Sequence, residues 1–128
     1  MTTGAKRFTV AVADDDRGVL GSLGYLLESE GYAVRLFESA QALLDSGCVE
    51  HIDCLISDVD MPGLDGFALL RVIHATRAGL PAVLITGYPE RVVRARVDGG
   101  TSARVFTKPF KAEELLAALS EALAGSPP

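Results

Sequence analysis

Apolar and polar positions fall along the chain in blocks. Residues 8–13 (FTVAVA) form a short apolar, partly β-branched run that stops at Asp14, Asp15 and Asp16, the pattern of a buried strand. Val19, Leu20, Leu23, Leu26 and Leu27 then recur at helical spacing, and Gly31 ends that pattern as a helix C-terminal glycine does. The alternation repeats with a strand over 32–37, a short helix capped by Ser39 and running to about residue 46, and a strand over 52–57. A loop follows, and the spacing predicts a helix over 66–76 with Asp65 as its N-cap. Residues 81–86 (PAVLIT) predict a fourth strand, 90–98 a weaker helix, 103–107 a fifth strand, and 111–124 a closing helix with Leu115, Leu116, Leu119 and Leu123 inward.

Five nearly all-apolar strands alternating with five helices imply an α/β fold, a parallel sheet covered by helices on both faces. Right-handed crossovers leave a doubly wound, flavodoxin-like sheet of order 2-1-3-4-5 as the expected topology. Ligands of such sheets bind outside the carboxyl ends of the strands, where the strand order reverses.

Composition narrows the functions that such a fold could serve. The 128 residues, 48% hydrophobic and 23% charged, suit one domain, expected over 6–124 with 1–5 and 125–128 as flexible tails. A net charge of −5 argues against direct binding to a nucleic-acid backbone. Cys48 and Cys54 form neither a CxxC nor a Cys/His cluster and read as reduced packing residues. The first residues lack an apolar signal region and no apolar run reaches the roughly 18 residues of a membrane span, so a cytoplasmic protein without membrane contact is expected.

The candidate chemistry lies at the predicted strand ends. Asp14 and Asp15 follow the first strand, Asp58 the third, Thr86 ends the fourth, and Lys108 follows the fifth. In the expected topology these residues converge. Carboxylates held together repel and raise one another's pKa unless a cation neutralises them. Mg²⁺ suits such a cluster, taking oxygen ligands from one or two carboxylates and sharing them with a phosphate. A carboxylate beside the ion can accept a phosphoryl group, while a lysine and a hydroxyl bond its other oxygens.

Four pieces of the chain, ADDD at 13–16, LISDVDMPGLDGF at 55–67, VLITG at 83–87 and FTKPF at 106–110, occur in an order and spacing that resemble the receiver domains of two-component response regulators. The resemblance covers nearly the whole chain. It implies that Asp58 is the phosphoacceptor, that Asp14 and Asp15 bind Mg²⁺ with it, and that Asp60 adds its backbone carbonyl. It also implies that Thr86 turns toward the phosphoryl group and Lys108 pairs with it, with a cis bond between Lys108 and Pro109. The phosphoryl donor would be a histidine kinase or phosphotransfer protein. The domain would assist its own phosphorylation and dephosphorylation without being a substrate-processing enzyme, and would signal through the surface of the fourth helix, fifth strand and fifth helix.

The chain also departs from that pattern. Val105 stands where family members carry an aromatic switch residue, and alternation along the strand turns the adjacent Phe106 to the other face. Tyr88 is the alternative moving ring. In that family the side chain two positions past the acceptor, here Asp60, lies close to the path of the hydrolytic water, and GGTSAR (99–104) lacks the family's frequent Gly-Ala pair before the last strand. Asp16 reads as a helix cap, Asp65 and Gly66 as turn and cap residues, His51 and His74 as surface histidines, and Arg91, Arg94 and Arg96 as a solvated helix face. Two other functions compete. Asp58-Val59-Asp60 also resembles the DxD nucleophile and acid of haloacid-dehalogenase-type phosphatases, and a receiver-like interaction module could act without phosphate.

Overall fold

Five short strands, β1 (Thr9–Ala13), β2 (Ala33–Phe37), β3 (Cys54–Asp58), β4 (Ala82–Thr86) and β5 (Arg104–Thr107), run parallel in the order β2-β1-β3-β4-β5. This is the expected flavodoxin-like sheet. The computed structural model describes residues 7–89 and 103–124. Among them are α1 (Arg17–Ser29), α2 (Ala40–Asp45), α3 (Gly66–Thr76) and a C-terminal helix (Ala112–Ala124). The fourth helix expected over 90–98, with Arg91, Arg94 and Arg96, lies outside the described residues, as do 99–102 and both expected tails.

Side-chain alternation divides the core in two. Val10, Val12, Cys54, Ile56, Val83 and Ile85 pack with Leu20, Leu23 and Leu27 of α1 and with Leu115, Leu119 and Leu123 of the C-terminal helix. On the other face Ala11, Ala13, Leu55 and Leu84 pack with Leu43 of α2 and with Leu69 and Ile73 of α3. β3 and β4 are buried at every position, because each is flanked by strands on both sides and by helices on both faces. β2, at the sheet edge, leaves Arg35 and Leu36 exposed.

The helices begin where the sequence predicts. Asp16 accepts from the amides of Gly18 and Val19, Ser39 from that of Ala42, and Asp65 from that of Ala68, so each side chain satisfies donors that have no partner within their helix. Gly31 ends the first helix unit at φ 93°, a conformation that favours glycine. Cys48–His51 forms a 3₁₀ turn that the hydrophobic pattern does not predict, since one turn is too short to carry a period. Arg77 donates to the carbonyls of Val49 and Ile52 at 2.8 and 2.6 Å, tying that turn to the end of α3. His74 is half-buried rather than a plain surface histidine, its Nε2 donating to the Leu80 carbonyl at 3.0 Å. His51 is exposed, and Cys48 and Cys54 are buried and free.

Gly66 joins this scaffold to the strand ends. A Cβ on it would lie 2.6 Å from the backbone oxygen of Asp58 and 2.9 Å from Cα of Val59, so α3 starts hard against the chain that carries Asp58. Gly66→Ala is expected to destabilise the domain by about 1–3 kcal/mol, because the obstructing atoms are backbone and not a flexible side chain. Gly21→Ala, on the exposed side of α1 with nothing within 4 Å of the new carbon, is expected to stabilise by about 0.5–1 kcal/mol. Urea unfolding of both variants measures the contrast.

Candidate functional site

Register decides which residues meet. Ala13 pairs with Ser57, Asp58 with Ile85, and Thr86 with Thr107, so Asp14 and Asp58 stand level, Thr86 one residue further along and Lys108 two, all at the same end of four strands. The backbone ladder runs one step past the strands: Val59 N donates to Ile85 O at 2.7 Å and Lys108 N to Thr86 O at 2.8 Å. The rigid sheet therefore extends to the backbone of the site residues.

Alternation then decides which way they face. Asp14 follows Val12, Asp58 follows Ile56 and Lys108 follows Phe106, all on the side of α1 and the C-terminal helix. Thr86 follows Leu84 on the opposite side. Val105 and Phe106 pack into opposite core clusters, as the sequence predicts. The bond from Lys108 to Pro109 is cis.

The long lysine side chain crosses from β5 toward β3 and β1. Its Nζ lies 3.7 Å from Asp14 Oδ2 and 3.7 Å from Asp58 Oδ1. Asp14 is 1% exposed and Asp58 5% exposed. Asp14 Oδ1 accepts from the Asp16 amide at 2.9 Å, while Oδ2 is buried without a hydrogen-bond partner. Asp58 Oδ1 accepts from the Asp60 amide at 3.3 Å. Burial raises the pKa of both carboxyls, Asp58 is raised further by the charge of Asp14, and Lys108 pulls each part of the way back.

Asp14, Asp15 and Asp58 offer oxygens that all lie within 4.8 Å of one another, a group that could hold a metal ion. Three carboxylates against one ammonium leave two negative charges, and the donors are all oxygen. A buried carboxylate oxygen without a hydrogen bond, a surplus charge of that size and a hard donor set fit Mg²⁺. Asp60 has a different place from the trio. Its carboxylate Oδ2 accepts from the Thr86 hydroxyl at 2.7 Å and from the Gly87 amide at 3.1 Å. Sequence reasoning gave Asp60 a backbone carbonyl for the metal and a side chain near the path of the hydrolytic water, and did not find this contact, which joins residues 26 positions apart and has no local signal. Tyr88 is half-exposed, and its amide donates to Thr86 Oγ1 at 3.1 Å.

The profile of the response regulator receiver domain matches residues 10–120. The chain belongs to the response regulator receiver family. This receiver domain is 34% identical over 119 residues to the transcriptional regulatory protein FixJ of Bradyrhizobium diazoefficiens, covering 93% of this chain and 58% of FixJ. It is also 34% identical over 113 residues to the transcriptional regulatory protein CreB of Escherichia coli, covering 88% of this chain and 49% of CreB. The chain thus spans about half the length of these curated relatives. Among solved structures, the receiver domain protein from Clostridium thermocellum superposes with a TM-score of 0.82 at 26% identity, covering 91% of this chain and 94% of that one. The crystal structure of FixJ-N gives a TM-score of 0.80 at 28% identity, covering 96% and 98%. Receiver domains are phosphoacceptor signalling domains rather than enzymes that turn over substrates. None of the described helices is long and apolar enough to cross a membrane.

The raised carboxyl pKa values make the cluster a cost to the fold at neutral pH. A carboxyl whose pKa is higher folded than unfolded stabilises the folded state most below the unfolded value of 3.8, and this is lost as pH rises through the folded pKa. Asp58→Asn is therefore expected to raise the melting temperature at pH 7 by about 2–5 °C, a gain that fades toward pH 4. Mg²⁺ is expected to raise the wild-type melting temperature and to have a much smaller effect on Asp14→Asn. Calorimetric scans across pH, with and without the ion, measure both.

Proposed function

We propose that the domain is a phosphorylation-dependent switch in which Asp58 is the phosphoacceptor. The reading is carried by the position of Lys108 Nζ, 3.7 Å from both Asp14 and Asp58 and beside the three-carboxylate group. A histidine kinase or phosphotransfer protein supplies the group as a phosphohistidine. A carboxylate oxygen of Asp58 attacks phosphorus, an O–P bond forms as the N–P bond breaks, and the electron pair returns to the donor's imidazole. Asp14, Asp15, Asp58 and the backbone carbonyl of Asp60 would hold Mg²⁺, which when bound neutralises charge on the phosphoryl oxygens.

The remaining residues position and stabilise. The Lys108 ammonium pairs with a phosphoryl oxygen, and its location between Asp14 and Asp58 leaves only a short swing. The Thr86 hydroxyl donates to another oxygen. Tyr88, whose amide donates to the Thr86 hydroxyl oxygen, moves in place of the aromatic ring that is absent at Val105. Signalling then leaves through the surface of β5, the C-terminal helix and the segment between β4 and β5, most of which lies outside the described residues.

A groove beside the site, lined by Val19, Leu23, Leu26, Lys108, Pro109 and Phe110, supports docking of the phosphodonor next to the acceptor. Its apolar side chains suit a helix of the partner protein. FixJ and CreB are transcriptional regulators by name, and only the receiver step is extended to this chain. The match over residues 10–120 favours this reading over a DxD phosphatase. We assign the reaction to the cytoplasm, where the buried thiols of Cys48 and Cys54 stay reduced.

Incubation with acetyl phosphate and Mg²⁺, followed by intact mass measurement, is expected to give a single labile phosphoryl adduct that is absent without the ion and absent in Asp58→Asn. Lys108→Ala is expected to slow its formation about 100-fold, the scale of losing one stabilising charge in the transition state. An adduct that persists in Asp58→Asn refutes Asp58 as the acceptor.

A further inference from the structure

The carboxylate of Asp60 takes no part in the three-acid group, yet it grips the residue on which the switch depends. Thr86 is fully buried, its hydroxyl donating to Asp60 Oδ2 at 2.7 Å, and the Gly87 amide donates to the same oxygen at 3.1 Å. The Tyr88 amide donates in turn to Thr86 Oγ1 at 3.1 Å. A hydroxyl carries one proton. While that proton is given to Asp60 it cannot be given to a phosphoryl oxygen on Asp58. The acceptor is anionic and the bond short, the strongest class of hydrogen bond that a neutral hydroxyl makes.

We propose that Asp60 is a positioning residue that holds Thr86 in the unphosphorylated arrangement and sets how readily Asp58 is loaded. The proposal rests on the reading of Asp58 as phosphoacceptor. Strand parity strengthens it: Thr86 follows the α3 side of the sheet, whereas Asp14, Asp58 and Lys108 follow the α1 side. Thr86 therefore has to turn away from Asp60 to serve the phosphoryl group. Two anions compete for one proton, and Asp60 holds it first. When Thr86 turns, its bond from the Tyr88 amide breaks or the segment leaving β4 follows it.

The test compares phosphorylation rates of the full chain with acetyl phosphate and Mg²⁺ in wild type, Asp60→Asn, Asp60→Ala, Thr86→Ala and the double variant Asp60→Ala/Thr86→Ala. Asp60→Ala is expected to load about tenfold faster than wild type, the scale of one charge-assisted hydrogen bond. Its effect is expected to vanish in the Thr86→Ala background. Asp60→Asn keeps an oxygen able to accept both bonds and is expected to fall between. Equal acceleration by Asp60→Ala with and without Thr86, or identical rates for Asn and Ala, would mean that Asp60 acts only through its charge and overturns the proposal. A second measurement needs no phosphodonor: three-bond NMR couplings of Thr86 are expected to report one χ1 rotamer in wild type and averaging in Asp60→Ala. An unchanged single rotamer also overturns it. If wild type takes no phosphoryl group, the acceptor reading fails by itself, and the couplings still decide whether Asp60 holds Thr86.

Discussion

Two carboxylates, Asp14 and Asp58, are buried side by side and share one ammonium group. Burying like charges together is expensive, and an apolar pair in their place would cost the fold less. The sheet bears that cost because its register leaves no choice: pairing of Ala13 with Ser57 brings the residues that follow them to the same level and the same face. Slipping either strand by one residue would turn its acid toward the opposite helices and reverse every core contact behind it. The packing of Val12 and Ile56 against α1 and the C-terminal helix is thus what keeps the acids together.

Lys108 completes this balance from a distance. It sits past the end of β5, two strands away from β3, and its long side chain reaches both acids. The bond from its amide to Thr86 O fixes where that reach begins. Polar contacts hold the other end of the site. Thr86 is pinned by Asp60, and Gly66 lets α3 start against the backbone of Asp58, so the loop between β3 and α3 is held by close contact and hydrogen bonds together.

Much of this was legible in the amino-acid sequence, for reasons that particular residues show. The apolar runs VAVA and AVLIT announce strands buried on both faces, and Asp16, Ser39 and Asp65 announce helix starts, because capping is a local interaction with a local signature. The convergence of Asp14, Asp58, Thr86 and Lys108 follows once the strand order is deduced. The Thr86 partner of the Asp60 carboxylate does not follow, since it depends on which way the loop after β3 turns over the end of β4. The 3₁₀ turn at Cys48–His51 and the bond from His74 to Leu80 were missed for the same kind of reason: one is shorter than any period, and the other joins a helix to the loop after it.

Lys108 belongs to two surfaces at once. One end of its segment neutralises the acids, and the same segment, with Pro109 and Phe110, forms a wall of the groove against α1. The groove and the acids therefore meet on one piece of backbone, and any coupling carried by it is reciprocal. An occupant that prefers one placement of this wall shifts the lysine, and a change of charge beneath the lysine alters the affinity of the occupant by the same factor. Under the proposed function, a phosphodonor seated in this groove would meet the charge state of the acids through the same short segment that it touches.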